Sequence, residues 1–311
     1  MATAPVTPRT TYGLAAAFVT SLRPRQWTKN LILFAGVIFA QRLSEQACVV
    51  RAALGVVVFC AASGVVYVFN DVVDLERDRQ HPYKRLRPVA AGTLPVPVAV
   101  RGGLALGIVA LGAAALLGWR FLAGVTAFFL WNWLYSRVLK HVIVLDVTGI
   151  GVSFVVRAVA GVLVILPACP GVNISAWLLV CTFFLSLFLG FCKRRDEKLK
   201  VSPHGLETRP ALQAYSEPLL NAMIGVSFGL AVAAYAVYTV WPTTVAHFGT
   251  RDLIYTVPFV LAGMGRYLYL VFREGRGGRP HEILLNDALL QIAVVGWIVT
   301  AVLIIGTGGA A

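Results

Sequence analysis

Stretches of about twenty apolar residues without a single charge recur along this chain, and nothing else restricts its fold so severely. The segment from Ala52 to Phe69 is one, and the run from Ala288 onward is another. A helix needs roughly 20 such residues to cross the hydrocarbon layer. Inside lipid every backbone N–H and C=O must be satisfied within the protein, which leaves helices or closed barrels. Runs of this length and continuity select helices. The expected class is therefore an all-α membrane protein, and the composition agrees: 13% of residues are charged, where soluble domains carry about a quarter.

Nine spans are expected, approximately Thr28–Gln41, Ala52–Asn70, Leu104–Gly118, Phe121–Tyr135, Val142–Leu166, Ala176–Cys192, Ala222–Trp241, Leu253–Phe272 and Ala288–Ile305. The first and fourth are short. Charge parity argues for both. Arg77, Arg79, Lys84, Arg85, Arg87 and Arg101 cluster after the second span, and Lys193, Arg194, Arg195, Lys198, Lys200 and Arg209 after the sixth. Basic loops stay in the cytoplasm, so an even number of crossings must separate them. Arg23, Arg25 and Lys29 place the N-terminus on the same side, in the cytoplasmic membrane. The residues 1–311 read as one helical domain with no cleavable signal pattern.

Lys and Arg outnumber Asp and Glu by 27 to 14. In a soluble chain that surplus would raise nucleic-acid binding; here it follows the membrane, and nucleic acid is excluded as a partner. The five cysteines show no CxxC spacing and read as small buried hydrophobes, neither a metal site nor a disulfide framework.

The segment that carries chemistry is Asn70-Asp71-Val72-Val73-Asp74-Leu75-Glu76-Arg77-Asp78. On a continuing helix Asp71, Asp74 and Asp78 share a stripe roughly 60° wide. Three carboxylates on one stripe repel each other unless a cation lies among them. Mg²⁺ favours such oxygen ligands and completes its shell with water and substrate phosphate. The competing reading pairs each Asp with a nearby Arg such as Arg77 or Arg79. Downstream, Lys84, Arg85 and Arg87 lie on a loop constrained by Pro82 and Pro88, suited to phosphate. Lys29, Lys140 and the run Lys193-Arg194-Arg195 recur at the same face. Arg157 lies well inside the fifth span, where an unpaired charge is expensive. Asp146, eleven residues earlier at a matching helical angle, leaves both a structural Asp–Arg pair and a ligand-facing charge open.

With these residues in place the chain resembles the UbiA superfamily of membrane transferases. Asn70 through Asp78 is similar to that superfamily's first aspartate motif, NDxxDxxxD, and nine helices match its fold. Its prenyltransferases carry a second motif, DxxxD, after the sixth helix. Here that place reads Cys192-Lys193-Arg194-Arg195-Asp196-Glu197 and is mostly basic. This departure resembles the branch of decaprenyl-phosphate phosphoribosyltransferases, as do Lys29-Asn30, Lys84-Arg85-Leu86-Arg87-Pro88, Leu139-Lys140-His141 and Arg157-Ala158-Val159-Ala160-Gly161. The late Pro280-His281-Glu282 and Leu285-Asn286-Asp287 are similar to that branch too.

The resemblance implies Mg²⁺-dependent transfer of 5-phosphoribose from phosphoribosyl pyrophosphate (PRPP) to a polyprenyl phosphate, releasing pyrophosphate, for cell-envelope glycolipid synthesis. Asp71, Asp74 and Asp78, with Asn70, would hold the metal. Lys29, Lys84, Arg85, Arg87, Lys140, Asp146, Arg157, Lys193, Arg194 and Arg195 would face substrate. A homo-oligomer is compatible with this reading. The rival readings are a prenyltransferase using a prenyl diphosphate and, further off, a lipid or solute transporter.

Overall fold

The computed structural model describes residues 13–81, 83–201, 210–275, 277–278 and 280–308. Arg209 and Pro82 lie outside them. A short helix α1 (Leu14–Ser21) precedes a 3₁₀ helix over Pro24–Phe34 that runs into α2 (Ala35–Phe39). Then follow α3 (Gln46–Val73), α4 (Leu75–Gln80), α5 (Val96–Leu117), α6 (Trp119–Arg137), α7 (Leu145–Ile165) and α8 (Ala176–Val201). The remainder is α9 (Pro210–Ala214), α10 (Glu217–Val240), α11 (Pro242–Phe248), α12 (Val257–Arg273), α13 (Pro280–Asn286) and α14 (Ala288–Gly308).

Among the described residues, seven helices are long and apolar enough to cross a membrane: α3, α5, α7, α8, α10, α14 and the segment Asp252–Arg273 that includes α12. The two short segments of the sequence reading do not meet that measure. α6 is 19 residues long, but Trp131, Asn132, Trp133, Tyr135 and Ser136 dilute its apolar content. The first segment is not one α-helix. Its 11 residues of 3₁₀ helix rise about 2.0 Å each, against 1.5 Å in an α-helix, so few residues cover more distance.

Two apolar cores organise the bundle. One gathers Leu33, Val37, Phe59, Phe121, Phe128 and Val164 between the first segment, α3, α6 and α7. The other gathers Val147, Phe188, Phe191, Ile224, Tyr267 and Leu270 between α7, α8, α10 and α12. α7 contributes to both and joins them. Side chains such as Leu289, Ile292, Val295 and Val302 on α14 stay exposed, as a lipid-facing surface requires.

The first segment lies against α7 without side chains between them. A Cβ added to Gly36 would stand 2.6 Å from the Gly161 carbonyl, and one on Gly161 would collide with the Leu33 carbonyl oxygen. Only glycine permits that approach at either position.

Antiparallel packing sets the start of α3 beside the end of α7. Cys48 and Cys169 form a disulfide there, with Cα atoms 6.2 Å apart and a separation of 121 positions in sequence. This corrects the reading of all five cysteines as lone apolar fillers. Cys60, Cys181 and Cys192 do remain free thiols. The bridge sits at the opposite end of α3 from the aspartate motif.

Candidate active site

The aspartates close α3. Its last turn reaches Val73, and Asp74, with φ −92° and ψ 14°, both ends α3 and begins α4. The continuous helix expected from the spacing is thus interrupted at its middle carboxylate. The helical pitch survives the interruption, because Asp74 N donates to Asn70 O at 2.9 Å and Asp78 N to Asp74 O at 2.8 Å. Asp71 and Asp78 are buried, 2% and 3% exposed.

Each carboxylate meets a cation from a distant element. The Arg87 Nη1 bridges Asp71 Oδ1 at 3.1 Å and Asp78 Oδ2 at 2.6 Å. Arg23 donates to the same Asp71 oxygen and stacks over the Tyr67 ring at 4.9 Å. Lys140, itself buried, donates to Asp74 Oδ1 at 2.8 Å. Arg23, Asp71, Arg87 and Asp78 thus form one linked network, with the Lys140–Asp74 pair beside it in sequence. The competing reading, that the acids pair with basic side chains, is met in kind, but through Arg23, Arg87 and Lys140. Arg79 bonds Glu76 on the surface instead.

Asn70 Oδ1 accepts from Ser136 Oγ at 2.6 Å, which ties the motif to α6. Arg23 and Ser136 were both missed as site residues from sequence. Arg23 lies 48 positions before Asp71, and only its left-handed backbone, φ 55°, turns it towards the motif. Lys84 and Arg85 form a short turn beside the cluster, Arg85 exposed. His81 Nδ1 faces the backbone N–H groups of Tyr83 and Lys84 at 3.3 and 3.4 Å. Burial, followed by the Lys84 charge, holds this imidazole below the ordinary histidine range.

The basic run on α8 divides. Arg194 is buried and donates to Asp146 Oδ2 and to Glu197 Oε2, both at 2.5 Å. The Asp146 Oδ1 accepts from the Tyr215 hydroxyl at 2.7 Å, and that hydroxyl accepts from Val144 N at 2.8 Å. Burial and the bond to Asp146 push the Tyr215 phenol up. Val144 has φ 68°, a costly conformation for a β-branched residue, held here by the tyrosine. Arg195 turns away to Asn221 Oδ1 at 2.9 Å and stacks on Phe272 at 4.3 Å. Lys193 lies 3.8 Å from Glu197. Asp196 packs against Gly277 and Gly278 and bonds Lys200 at 2.8 Å.

Asp146 and Arg157 are therefore not a pair. Arg157 instead bonds Asn30 Oδ1 at 3.0 Å, Ser153 Oγ at 2.8 Å and Ser63 Oγ at 3.4 Å. Arg266, within the segment Asp252–Arg273, is bidentate to Asp287, with its closest contact at 2.8 Å.

The donor set of the motif, three carboxylates and an amide oxygen, suits a hard divalent cation such as Mg²⁺. Arg87 lies between two of those carboxylates. Among the described residues only Glu45, Cys48 and Cys169 bring three ligand atoms within 4.8 Å of one another, and two of these share the disulfide. A metal at the aspartates would therefore act against Arg23, Arg87 and Lys140 unless an anion drew them off.

A sequence profile described as the UbiA prenyltransferase family matches residues 30–281, which includes the whole aspartate motif. The chain belongs to the UbiA prenyltransferase family. Relatives of this UbiA chain include two named decaprenyl-phosphate phosphoribosyltransferase. The Corynebacterium glutamicum protein is 32% identical, over 92% of this chain and 85% of its own length. The Mycobacterium tuberculosis protein is 31% identical, over 92% and 93%. Among solved structures, a UbiA homologue from Archaeoglobus fulgidus bound to GPP and Mg²⁺ superposes with a TM-score of 0.65 at 19% identity, covering 94% of this chain and 98% of that one. The UbiA fold expected from sequence is thus present, and the chain is a transferase.

Proposed function

We propose that this transferase moves 5-phosphoribose from PRPP to a polyprenyl phosphate, with Mg²⁺, at the cytoplasmic face of the membrane. The observation that carries the proposal is the set of ion pairs at the aspartate motif, Asp71 and Asp78 with Arg23 and Arg87 and, beside them, Asp74 with Lys140. A bare diphosphate would meet repulsion from the acids, and a bare metal would meet repulsion from the bases. A metal–diphosphate offers each set its complement. The names of the relatives support PRPP and the lipid phosphate as the substrate pair.

In the reaction, the bond between C1 of the ribose and the pyrophosphate oxygen breaks, and an oxygen of the lipid phosphate bonds to C1. Pyrophosphate leaves with the electron pair. Mg²⁺ held by Asp71, Asp74 and Asp78, with Asn70 assisting, would supply Lewis-acid stabilisation of the leaving group. Arg87, Arg23 and Lys140 then exchange carboxylate partners for phosphate oxygens, with Lys84, Arg85 and Lys193 at the rim. Arg194 contributes indirectly, through Asp146 and Tyr215, by fixing the entry to α7 that follows Lys140. A phosphate nucleophile is already ionised at neutral pH and needs no strong base. Developing positive charge at C1 is favoured by the nearby carboxylates.

The orientation that goes with this function has the N-terminus in the cytoplasm and nine crossings, the first made by the 3₁₀ segment with α2. Lipid forms the surroundings and supplies the acceptor.

The test uses purified protein in nanodiscs, radiolabelled PRPP, polyprenyl phosphate and MgCl₂. Label entering the lipid fraction only when Mg²⁺ is present is the expected result. A prenyltransferase reading is favoured by the GPP-bound fold neighbour. Transfer from a prenyl diphosphate with none from PRPP would establish it in place of ours.

A further inference from the structure

Of the three buried Lys and Arg side chains among the described residues, Lys140, Arg157 and Arg194, two have a carboxylate. Lys140 has Asp74 and Arg194 has Asp146. Arg157 has none. Its contacts are the neutral oxygens of Asn30, Ser63 and Ser153, together with the faces of Phe128 and Phe154 at 4.5 and 5.4 Å. Hydroxyls, an amide and aromatic rings offer partial charges only. A full charge in an apolar interior calls for a full countercharge.

A second cation stands beside it. Lys29 precedes Asn30, and its ammonium is hydrogen-bonded to Gln26 Oε1 at 3.1 Å, with no carboxylate within 4.0 Å among the described residues. It lies close enough to both Arg157 and Arg23 to be repelled by each. Arg23 in turn bonds Asp71. The three cations thus lead from the aspartate motif into the bundle, and the two inner ones lack acids. The partners that aim Arg157 come from three separate elements: the 3₁₀ segment, α3 and α7 itself. Its Nη2 uses one N–H on Ser63 and retains a second.

We propose that Lys29 and Arg157 form an anion seat for a phosphate monoester, separate from the aspartate-bound diphosphate. The inference rests on the phosphoribosyl-transfer reading and deepens it. Two cations match the two charges of a monoester dianion, and a guanidinium with an ammonium gives directed and diffuse attraction together. Two sources carry this chemistry: the 5-phosphate of the ribose donor and the phosphate of the lipid acceptor. The fixed polar collar around Arg157 means that the seat is built before its ligand arrives.

The test compares wild type with R157Q, R157K and K29Q in nanodiscs. The Michaelis constants for PRPP and for polyprenyl phosphate are measured separately, and melting temperatures are read with and without ribose 5-phosphate. R157Q and K29Q are expected to raise one of the two constants at least tenfold, with R157K partly restoring it. The constant that moves identifies the source. Both constants within twofold of wild type in R157Q and K29Q would overturn the seat while leaving the transfer reading intact. If wild type transfers no phosphoribose, that reading falls, and the melting data then decide the seat. Stabilisation by ribose 5-phosphate that is lost in K29Q supports it, and no stabilisation, or stabilisation that persists in K29Q, overturns it. Should R157Q fail to fold, K29Q decides, because Lys29 lies outside the collar of hydrogen bonds.

Discussion

Replacing Arg87 by Gln should strengthen, not weaken, the binding of a divalent cation in the absence of substrate. The Arg87 Nη1 touches Asp71 and Asp78 at 3.1 and 2.6 Å, in the space a metal would need. Two opposite charges at 4 Å attract by about 4 kcal/mol at an effective dielectric of 20 and by about 1 kcal/mol in water. The Arg87 side chain is 29% exposed, so solvent screening places the competition it offers near the lower figure, at about 1–2 kcal/mol. That corresponds to roughly a 5- to 30-fold gain in affinity. The assay is Mn²⁺ titration by electron paramagnetic resonance on purified wild type and R87Q, without and then with pyrophosphate. With pyrophosphate present the order should reverse, because the diphosphate loses a guanidinium. Unchanged or weaker Mn²⁺ binding by R87Q without pyrophosphate would refute the view that cations and metal compete for these carboxylates.

Asp71→Asn or Asp74→Asn should lower turnover by ~100-fold or more, on the scale of metal-assisted charge stabilisation. Arg42→Ala, at a surface pair with Glu45, should change it less than twofold, and equal losses would indicate misfolding. Tyr215→Phe leaves the Val144 N–H without its partner and should cost about 1–3 kcal/mol, read as a lower melting temperature, with Asp146→Asn following the same direction. Cys48→Ser opens a loop of 121 residues and should lose about 4–5 kcal/mol in the chain-entropy account. Non-reducing electrophoresis should show wild type running ahead of the variant, and identical mobility would exclude the bridge.

The aspartate motif was legible because its three acids lie within one stretch of nine residues, and Arg87 and Lys140 because basic residues cluster in a few short segments between the apolar runs. What pairs with what was not legible. Asp146 and Arg157 share a helix and a matching angle, yet Asp146 chose Arg194 on α8 because the start of α7 and the end of α8 meet there. Arg23 and Cys169 found partners 48 and 121 positions away, distances over which periodicity carries no signal. The stripe drawn on an unbroken helix also erred at Asp74, where the chain turns, although the i to i−4 bonds kept the acids together. The short first segment stood out by its length, but its 3₁₀ winding left no mark in composition.

The glycine contact between α2 and α7 has a mechanical consequence. Where backbone rests on backbone at Gly36 and Gly161, no side chain is available to swing aside, so the two elements travel as one stiff strut. Arg157 is rooted in that strut through Asn30. Any rearrangement of the bundle must therefore fall elsewhere, among helices joined by deformable side chains, while the wall that carries Arg157 stands still.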